Sequence, residues 1–258
     1  MPLITFLSDF GLHEHYVAVV KAAIFRQLPQ YTTLDISHNV QMGNIAQAAY
    51  LLKSVVDECE KGTIHIVAVG TTQVKEQLLV YYKEQYFLGP DNGIFSICFE
   101  DNISEAVFYE LPTVTESNFP SKDLYTKAAV RVVENGLSAF NKKERFVEKI
   151  ARKPIVQQNI LTGHVIYIET HGNLITNISK HLFEEFTQDH RFTISFEYEK
   201  IKQLSCTYQD VDYGDSVVFF NSNNLLEIAI NHGNAAELLG MKYDSTIKVI
   251  TKQQKKVL

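Results

Sequence analysis

Asp9 is the first residue of the chain whose type and position suggest binding chemistry. It follows an apolar run over residues 3–7 that is typical of a buried strand, and Gly11 comes two residues later. A carboxylate at the carboxyl end of such a strand can accept hydrogen bonds from both hydroxyls of a ribose, and a glycine lets a ligand approach the backbone. Asp9 could equally cap the helix that is expected to begin near His13, and the residue types alone leave both interpretations open.

Two later segments place small polar residues beside apolar runs. They are Glu169-Thr170-His171-Gly172-Asn173 and Asn221-Ser222-Asn223-Asn224. Because Asn and Gly are common in tight turns for backbone reasons, each segment taken alone is best explained as a turn.

Other chemistries have little support in the sequence. His13 and His15 have no acidic or cysteine partner at ligand spacing, so they predict an exposed helix start and no metal site. No GxGxxG follows the first strand and no GxxxxGK[ST] occurs in the chain. A cradle for a dinucleotide or a nucleoside triphosphate is therefore not expected.

The composition of the chain limits which binding partners and which cellular compartment we expect. The 258 residues carry 24 Lys and Arg against 30 Asp and Glu, a formal net charge of -6 that provides no positive field for nucleic acid. No apolar run approaches the roughly 20 residues of a membrane helix, and the start MPLITFLSDFG has no basic leader. We expect a cytoplasmic protein that binds neither nucleic acid nor membrane.

The elements that must position these residues alternate in the first half of the chain. Strands are predicted over residues 3–7, 32–36 and 63–69, and helices over 16–28 and 45–56, the second capped by Asn44. Alternation of this kind implies parallel pairing with right-handed crossovers. A further helix is predicted over 123–133, and short strands dominate from residue 161. We predict an α/β domain over residues 1–153 and a smaller β-rich domain over 154–258.

Eight segments, taken in order, carry a resemblance to a known family. They read ITFLSDFG, YVAVVKAAI, LDISHNV, NIAQAAYLL, GTIHIVAV, YFLGPDNGIFS, HGNLITNI and LEIAINHGNAAELLG. The set resembles the S-adenosylmethionine hydroxide adenosyltransferase family, also called DUF62 or the SAM hydrolase family, which is related to the fluorinase and chlorinase enzymes. The resemblance covers almost the whole chain.

The resemblance implies both a fold and a reaction. The fold is a Rossmann-like α/β domain followed by a smaller β-barrel-like domain, in a homotrimer with active sites at the subunit interfaces. The substrate is S-adenosylmethionine, which water or a halide attacks at the ribose 5′ carbon while methionine leaves, and no cofactor is needed.

The resemblance also assigns residues by position. Asp9 would hold the ribose hydroxyls, Phe119 and Ser121 would lie beside the 5′ carbon, and Asn173 would face the ribose. The methionine ammonium would meet Glu169, and its carboxylate would meet Ser222. The backbone around Asn231 and His232 would contact the adenine.

The chain departs from the family at the group that activates water. In the family hydrolases the water-activating group looks like three residues. They are an Asp from a Val-Asp-Pro-Gly-Val-Gly stretch, an Arg shortly after it, and a His from a Phe-His-Gly-Arg-Asp stretch. Here residues 67–73 read Val-Ala-Val-Gly-Thr-Thr-Gln in a shorter loop, Lys75 is the nearest basic residue, and Pro120 stands in the place of the His. Ser121 occupies the place where the fluorinase branch has a Ser, and His171 could serve as a substitute base.

Three hypotheses follow from the departure. The protein cleaves S-adenosylmethionine to adenosine and methionine with an altered water-activating group, or it binds S-adenosylmethionine or adenosine without turnover. In the third, a different nucleophile such as a halide attacks the same carbon.

Overall fold

The computed structural model describes residues 2–112, 117–188 and 190–251, which form two compact units, Met1–Ala151 and Arg152–Leu258. The predicted fold class is confirmed: the first unit is α/β with parallel strands, and the second is an antiparallel, barrel-like sheet. In the described ranges no helix is both long enough and apolar enough to cross a lipid bilayer.

Among its described residues, the first unit contains six strands and four α-helices. They are β1 (Leu3–Ser8), α1 (Tyr16–Gln27), β2 (Thr32–Ser37), α2 (Ile45–Val56), β3 (Ile64–Ala68), β4 (Gln77–Tyr82), β5 (Gln85–Pro90), α3 (Ile94–Cys98), β6 (Val107–Glu110) and α4 (Thr126–Asn135). The sheet order is β2-β1-β3-β5-β4-β6. Pairing is parallel from β2 through β5, which confirms the predicted parallel pairing, and β4 runs antiparallel to both of its neighbours.

Alternating side chains of the central strands build two cores, one on each face of this sheet. Ile4, Phe6 and Ile66 face α1 and α4, whereas Leu7 and Val67 face α2 and α3. Because a strand alternates its side chains, strands covered on both faces are mostly apolar, as β1 and β3 are apart from Thr5, Ser8 and His65. The carboxyl ends of β1 and β3 therefore meet at one edge, where polar residues can follow without breaking a core.

The helix predicted over 123–133 begins differently in the structure. Residues Ser121–Tyr125 form a π-helical turn, and the α-helical part, α4, begins only at Thr126. It ends before Gly136, in agreement with the predicted stop at Asn135-Gly136. The wider π turn changes the directions in which the side chains of Ser121 and Tyr125 point. Helical spacing in the sequence does not reveal such a turn.

In the part of the second unit that the structure describes, there are eight strands and two α-helices. They are β7 (Ile155–Gln157), β8 (Ile160–Ile168), β9 (Leu174–Ser179), α5 (Lys180–Thr187), β10 (Phe192–Phe196), β11 (Glu199–Ile201), β12 (Ser216–Phe220), β13 (Leu225–Ile230), α6 (Ala235–Leu238) and β14 (Thr246–Thr251). The sheet order is β11-β10-β14-β8-β9-β13-β12, with β7 paired to β8. Past the end of β11, the Ser205 amide donates to the Val218 carbonyl in β12 over 2.9 Å, which brings the two edges of the sheet together.

Helix α5 was not predicted. Ser179 caps it by accepting from the Leu182 amide over 3.2 Å, but the helix is only eight residues long and buries little more than Phe183 and Thr187. So short an apolar stripe gives almost no periodic signal in the sequence.

Candidate functional site

The carboxylate of Asp9 is fixed by two backbone amides at the carboxyl edge of the parallel sheet. Its Oδ2 accepts from the Gly43 amide at 2.9 Å and from the Gly70 amide at 3.0 Å. Its Oδ1 accepts no hydrogen bond within the described part of the chain, so one oxygen is held and the other is available. The interpretation of Asp9 as a helix cap is wrong. Helix α1 begins at Tyr16, its N-cap residue is His15, and the His15 side chain makes no capping hydrogen bond.

The two glycines that hold Asp9 cannot readily be replaced. Gly43 and Gly70 have φ values of +69° and +64°, a region that disfavours other residues. A Cβ on Gly43 would lie 2.5 Å from Nε2 of Gln73, and one on Gly70 would lie 3.0 Å from Gln73 Oε1. The Gln73 side chain therefore closes over both glycines, and it belongs to the loop whose sequence departs from the family.

Phe119 belongs to a triangle of aromatic rings next to Asp9. Its ring centroid lies 5.8 Å from that of Phe10 and 5.5 Å from that of Tyr16, and the last two are 5.9 Å apart. The structure thus brings Phe119 to the residue that directly follows Asp9. An apolar wall beside a carboxylate suits a nucleoside, which has a polar sugar edge and an apolar face.

Ser121 is fully buried at the first position of the π-helical turn. Its Oγ has no hydrogen-bond partner among the described residues. A buried hydroxyl without a partner costs about 1–3 kcal/mol, so the position favours a ligand or a water that satisfies it. Pro120 precedes it and carries no group that could accept or donate a proton.

In the second unit, Glu169 to Asn173 form a tight turn after β8. The Gly172 amide donates to the Glu169 carbonyl over 2.8 Å, and the Glu169 amide donates to the Asn173 carbonyl over 3.0 Å. The interpretation of this segment as a turn is therefore confirmed, but the turn also lines a cavity of about 500 Å³. The cavity is lined by Glu169, His171, Asn173, Tyr208, Ile230, His232, Gly233 and Asn234.

Asn173 joins two carboxylates and a phenol through its Nδ2. That nitrogen lies 2.9 Å from Glu227 Oε1, 2.9 Å from the Tyr208 hydroxyl and 3.3 Å from Glu169 Oε2. The Tyr208 hydroxyl in turn donates to Glu227 Oε1 over 3.0 Å. No Lys or Arg lines the cavity in the described structure, so the arrangement favours a cationic ligand.

Burial shifts the acidity of this group. It raises the pKa of Glu227, and the nearby charge of Glu169 adds to the effect. Burial, with the neighbouring Glu227 carboxylate, raises the pKa of Tyr208 to about 12, so the phenol stays protonated and keeps its role as a donor. The sequence analysis missed both residues. A carboxylate within the apolar run of β13 was a usable signal for Glu227, whereas Tyr208 lies in a polar turn that gives none.

Two further candidate residues, Ser222 and Asn231, do not line the cavity. Ser222 is exposed in the turn before β13 and does not line the cavity. The residue that connects this turn to the group around Asn173 is Asn221, whose side chain hydrogen-bonds with Glu227. The backbone amide and carbonyl of Asn231 are engaged with Asp215 and Gly214.

The candidate histidines outside the core are exposed. His232 lies at the cavity with a φ of +59°, and its ring stacks on Tyr213 at 5.0 Å. His13 and His15 are exposed, and the described residues contain no group of three side chains able to hold a metal.

Comparison with known proteins matches both units to one family. Residues 4–141 match the SAM hydroxide adenosyltransferase N-terminal domain, and residues 163–248 match its C-terminal domain. The chain is 27% identical to a protein of Thermus thermophilus named (R)-S-adenosyl-L-methionine hydrolase, over 95% of this chain and 98% of that one. It is 20% identical to a protein named fluorinase from Actinopolyspora mzabensis, over 96% and 97% of the two chains.

A solved structure extends the likeness to the fold. An uncharacterized conserved protein from Thermotoga maritima superposes with a TM-score of 0.86 at 28% identity, covering 96% of this chain and 99% of that one.

Proposed function

The chain belongs to the SAM hydroxide adenosyltransferase family, and on this premise we propose that it cleaves S-adenosylmethionine to adenosine and methionine. Water attacks the ribose 5′ carbon, the bond from that carbon to sulfur breaks, and its electron pair leaves with sulfur as a neutral thioether. The observation that carries the proposal is the Asp9 carboxylate, anchored through Oδ2 by two glycine amides and available through Oδ1.

The first unit would bind the ribose and the water. Asp9 Oδ1 accepts from the ribose hydroxyls, and the rings of Phe10, Tyr16 and Phe119 form an apolar wall beside them. The Ser121 hydroxyl, buried and without a partner in the described ranges, holds the attacking water. A partly desolvated, positioned nucleophile is what this reaction requires, since the leaving thioether needs no acid.

The second unit would bind the methionine end. Glu169 lines the cavity and pairs with the ammonium, and Asn173 is held in place by Tyr208 and Glu227. His171 lines the same cavity and is the candidate acceptor for the proton that water loses. We assign Ser222 to the carboxylate, and the segment of Asn231 and His232 to the adenine, by family position alone.

Two finer points belong to the same proposal. The protein is cytoplasmic and forms a homotrimer in which neighbouring subunits complete each other's sites. The relatives are named as hydrolases of the (R) form of S-adenosyl-L-methionine, so we propose the (R) epimer at sulfur as the preferred substrate.

Purified protein incubated with each separated epimer of S-adenosylmethionine tests the reaction, with adenosine and methionine followed by chromatography. Both products should accumulate in equal amounts above the protein-free rate. Calorimetry on the same sample distinguishes the alternatives: heat of binding without products supports a binding protein, which the loss of the family's water-activating residues favours. Added fluoride or chloride yielding a 5′-halogenated adenosine would instead support a different nucleophile.

A further inference from the structure

We infer that Gln77 and Tyr125 are positioning residues for the reaction, because together they fix the loop of residues 70–75 against the helical turn that carries Ser121. The inference rests on the proposed function and extends it to two residues that do not touch the substrate. Neither residue was singled out in the sequence.

The link is a short chain of buried hydrogen bonds. Gln77 is 3% exposed and Tyr125 is fully buried. The Tyr125 hydroxyl donates to Gln77 Oε1, and Gln77 Nε2 donates to the carbonyls of Thr71 and Val74 over 3.3 and 3.1 Å. One amide side chain thus ties two points of the loop to the turn.

The chemistry of the partners allows only one orientation of this link. The carbonyls of Thr71 and Val74 can only accept, so Gln77 must direct its NH₂ group toward them and its oxygen toward Tyr125. Tyr125 must then donate. Burial raises the pKa of Tyr125 well above its usual value, which keeps the phenol protonated and excludes it as an acid or base near neutral pH.

Each end of the link holds part of the proposed site. The loop begins with Gly70, whose amide donates to Asp9, and contains Gln73, which covers Gly43 and Gly70. Tyr125 is the last residue of the π-helical turn that begins with Ser121. The group that binds the ribose and the group that holds water therefore have their spacing set through Gln77.

This spacing matters more here than in a site with a general base at the same loop. The loop lacks the acidic residue of the family hydrolases, so the rate depends on how well water is aligned with the 5′ carbon. Misplacement of a nucleophile by about 1 Å costs up to roughly 100-fold in rate without a matching loss of binding.

The Tyr125→Phe variant removes only the hydroxyl and tests the inference. We expect kcat for adenosine release to fall by about 10- to 100-fold while KM stays within about twofold. Hydrogen exchange of the amides in residues 71–75 should become faster. The matched control is Tyr82→Phe, which removes another buried hydroxyl, one that accepts from Asn102 over 3.4 Å, and should leave kcat unchanged.

A second variant keeps the test independent of the first. Tyr125→Phe leaves Gln77 Oε1 buried without a donor, and adding Gln77→Leu removes that oxygen but leaves the carbonyls of Thr71 and Val74 without their donor. The double variant should therefore release the loop further, with faster hydrogen exchange in residues 71–75 and no recovery of kcat, and either variant carries the test if the other fails to fold. Wild-type kcat in either folded variant overturns the inference and leaves the proposed function intact. Absence of adenosine release by the wild-type protein overturns both.

Discussion

At the scale of single residues, Asp9 and Glu169 are proposed to bind different parts of the substrate, and their surroundings suit different ligand groups. Asp9 is anchored through one oxygen by the amides of Gly43 and Gly70, which suits a fixed acceptor for neutral hydroxyls. Glu169 shares Asn173 with a second carboxylate, Glu227, in a cavity without Lys or Arg in the described structure, which suits a cation. Ligands that carry only one of the two chemistries can therefore separate the two roles.

Asp9→Asn should weaken binding of adenosine. The asparagine oxygen can still accept from Gly43 and Gly70, so the fold is preserved, but an NH₂ group then replaces the free carboxylate oxygen. Loss of hydrogen bonds to a charged acceptor, worth about 1.5–3 kcal/mol, should raise the adenosine Kd by about 10- to 100-fold in calorimetry. Asp57→Asn, at an exposed carboxylate paired with Lys83, is the control. An unchanged Kd would remove Asp9 from the ribose site.

Glu169→Gln should discriminate between ligands with and without an ammonium group. We expect the Kd for S-adenosylmethionine to rise by about 10-fold or more, because the charged partner of the ammonium is lost, while the Kd for adenosine stays the same. Glu184→Gln on the exposed face of α5 provides a matched control. Equal weakening of both ligands would show that the substitution disturbs the turn and not a specific contact.

The elements were predictable where their signals were long. The apolar runs of β1 and β3 and the Asn44 cap of α2, which accepts from the Gln47 amide, gave the parallel sheet directly. Short elements such as α5, and the π-helical turn at Ser121, were not predictable, because neither leaves a pattern at helical spacing that differs from its surroundings. His65 is a polar residue inside the otherwise apolar β3, and only its contacts in the folded structure explain why it is there.

His65 makes the stability of the parallel sheet depend on pH. It is fully buried, stacked on Phe87 and hydrogen-bonded to Thr5 and Gln85 at 2.7 Å each. Because Gln85 offers its oxygen, the imidazole is assigned as the neutral form with hydrogen on Nε2. Burial lowers the pKa of His65 to about 4, against 6.5 for an unperturbed histidine.

The unfolded chain therefore binds a proton at a higher pH than the folded one, and the stabilising contribution is complete above about pH 6.5. As pH falls from about 6.5 to about 4, the free energy of unfolding should decrease by about 3 kcal/mol from this residue. Urea unfolding at several pH values measures it. The His65→Gln variant should lack this component of the pH dependence, and an identical slope in the variant would contradict the assignment.

At the scale of the whole molecule, the order of motifs along the sequence predicted candidate site residues but did not show which of them lie together in the fold. In the structure Glu169, His171, Asn173 and His232 line one cavity. Ser222 lies outside that lining, and Glu227 and Tyr208 enter the group only because β13 and the turn before β12 pack beside β9. Long-range packing of this kind is absent from any local motif.

Complementation between subunits tests the proposed assembly. If a homotrimer forms sites from the first unit of one subunit and the second unit of another, Asp9→Asn and Glu169→Gln damage different halves. Co-refolded in equal amounts, the two variants should place intact halves together in about one quarter of the sites, restoring about a quarter of wild-type kcat/KM. Light scattering should give the mass of three chains. Each variant refolded alone is the control, and a mixture no more active than those controls would show that each site belongs to a single subunit.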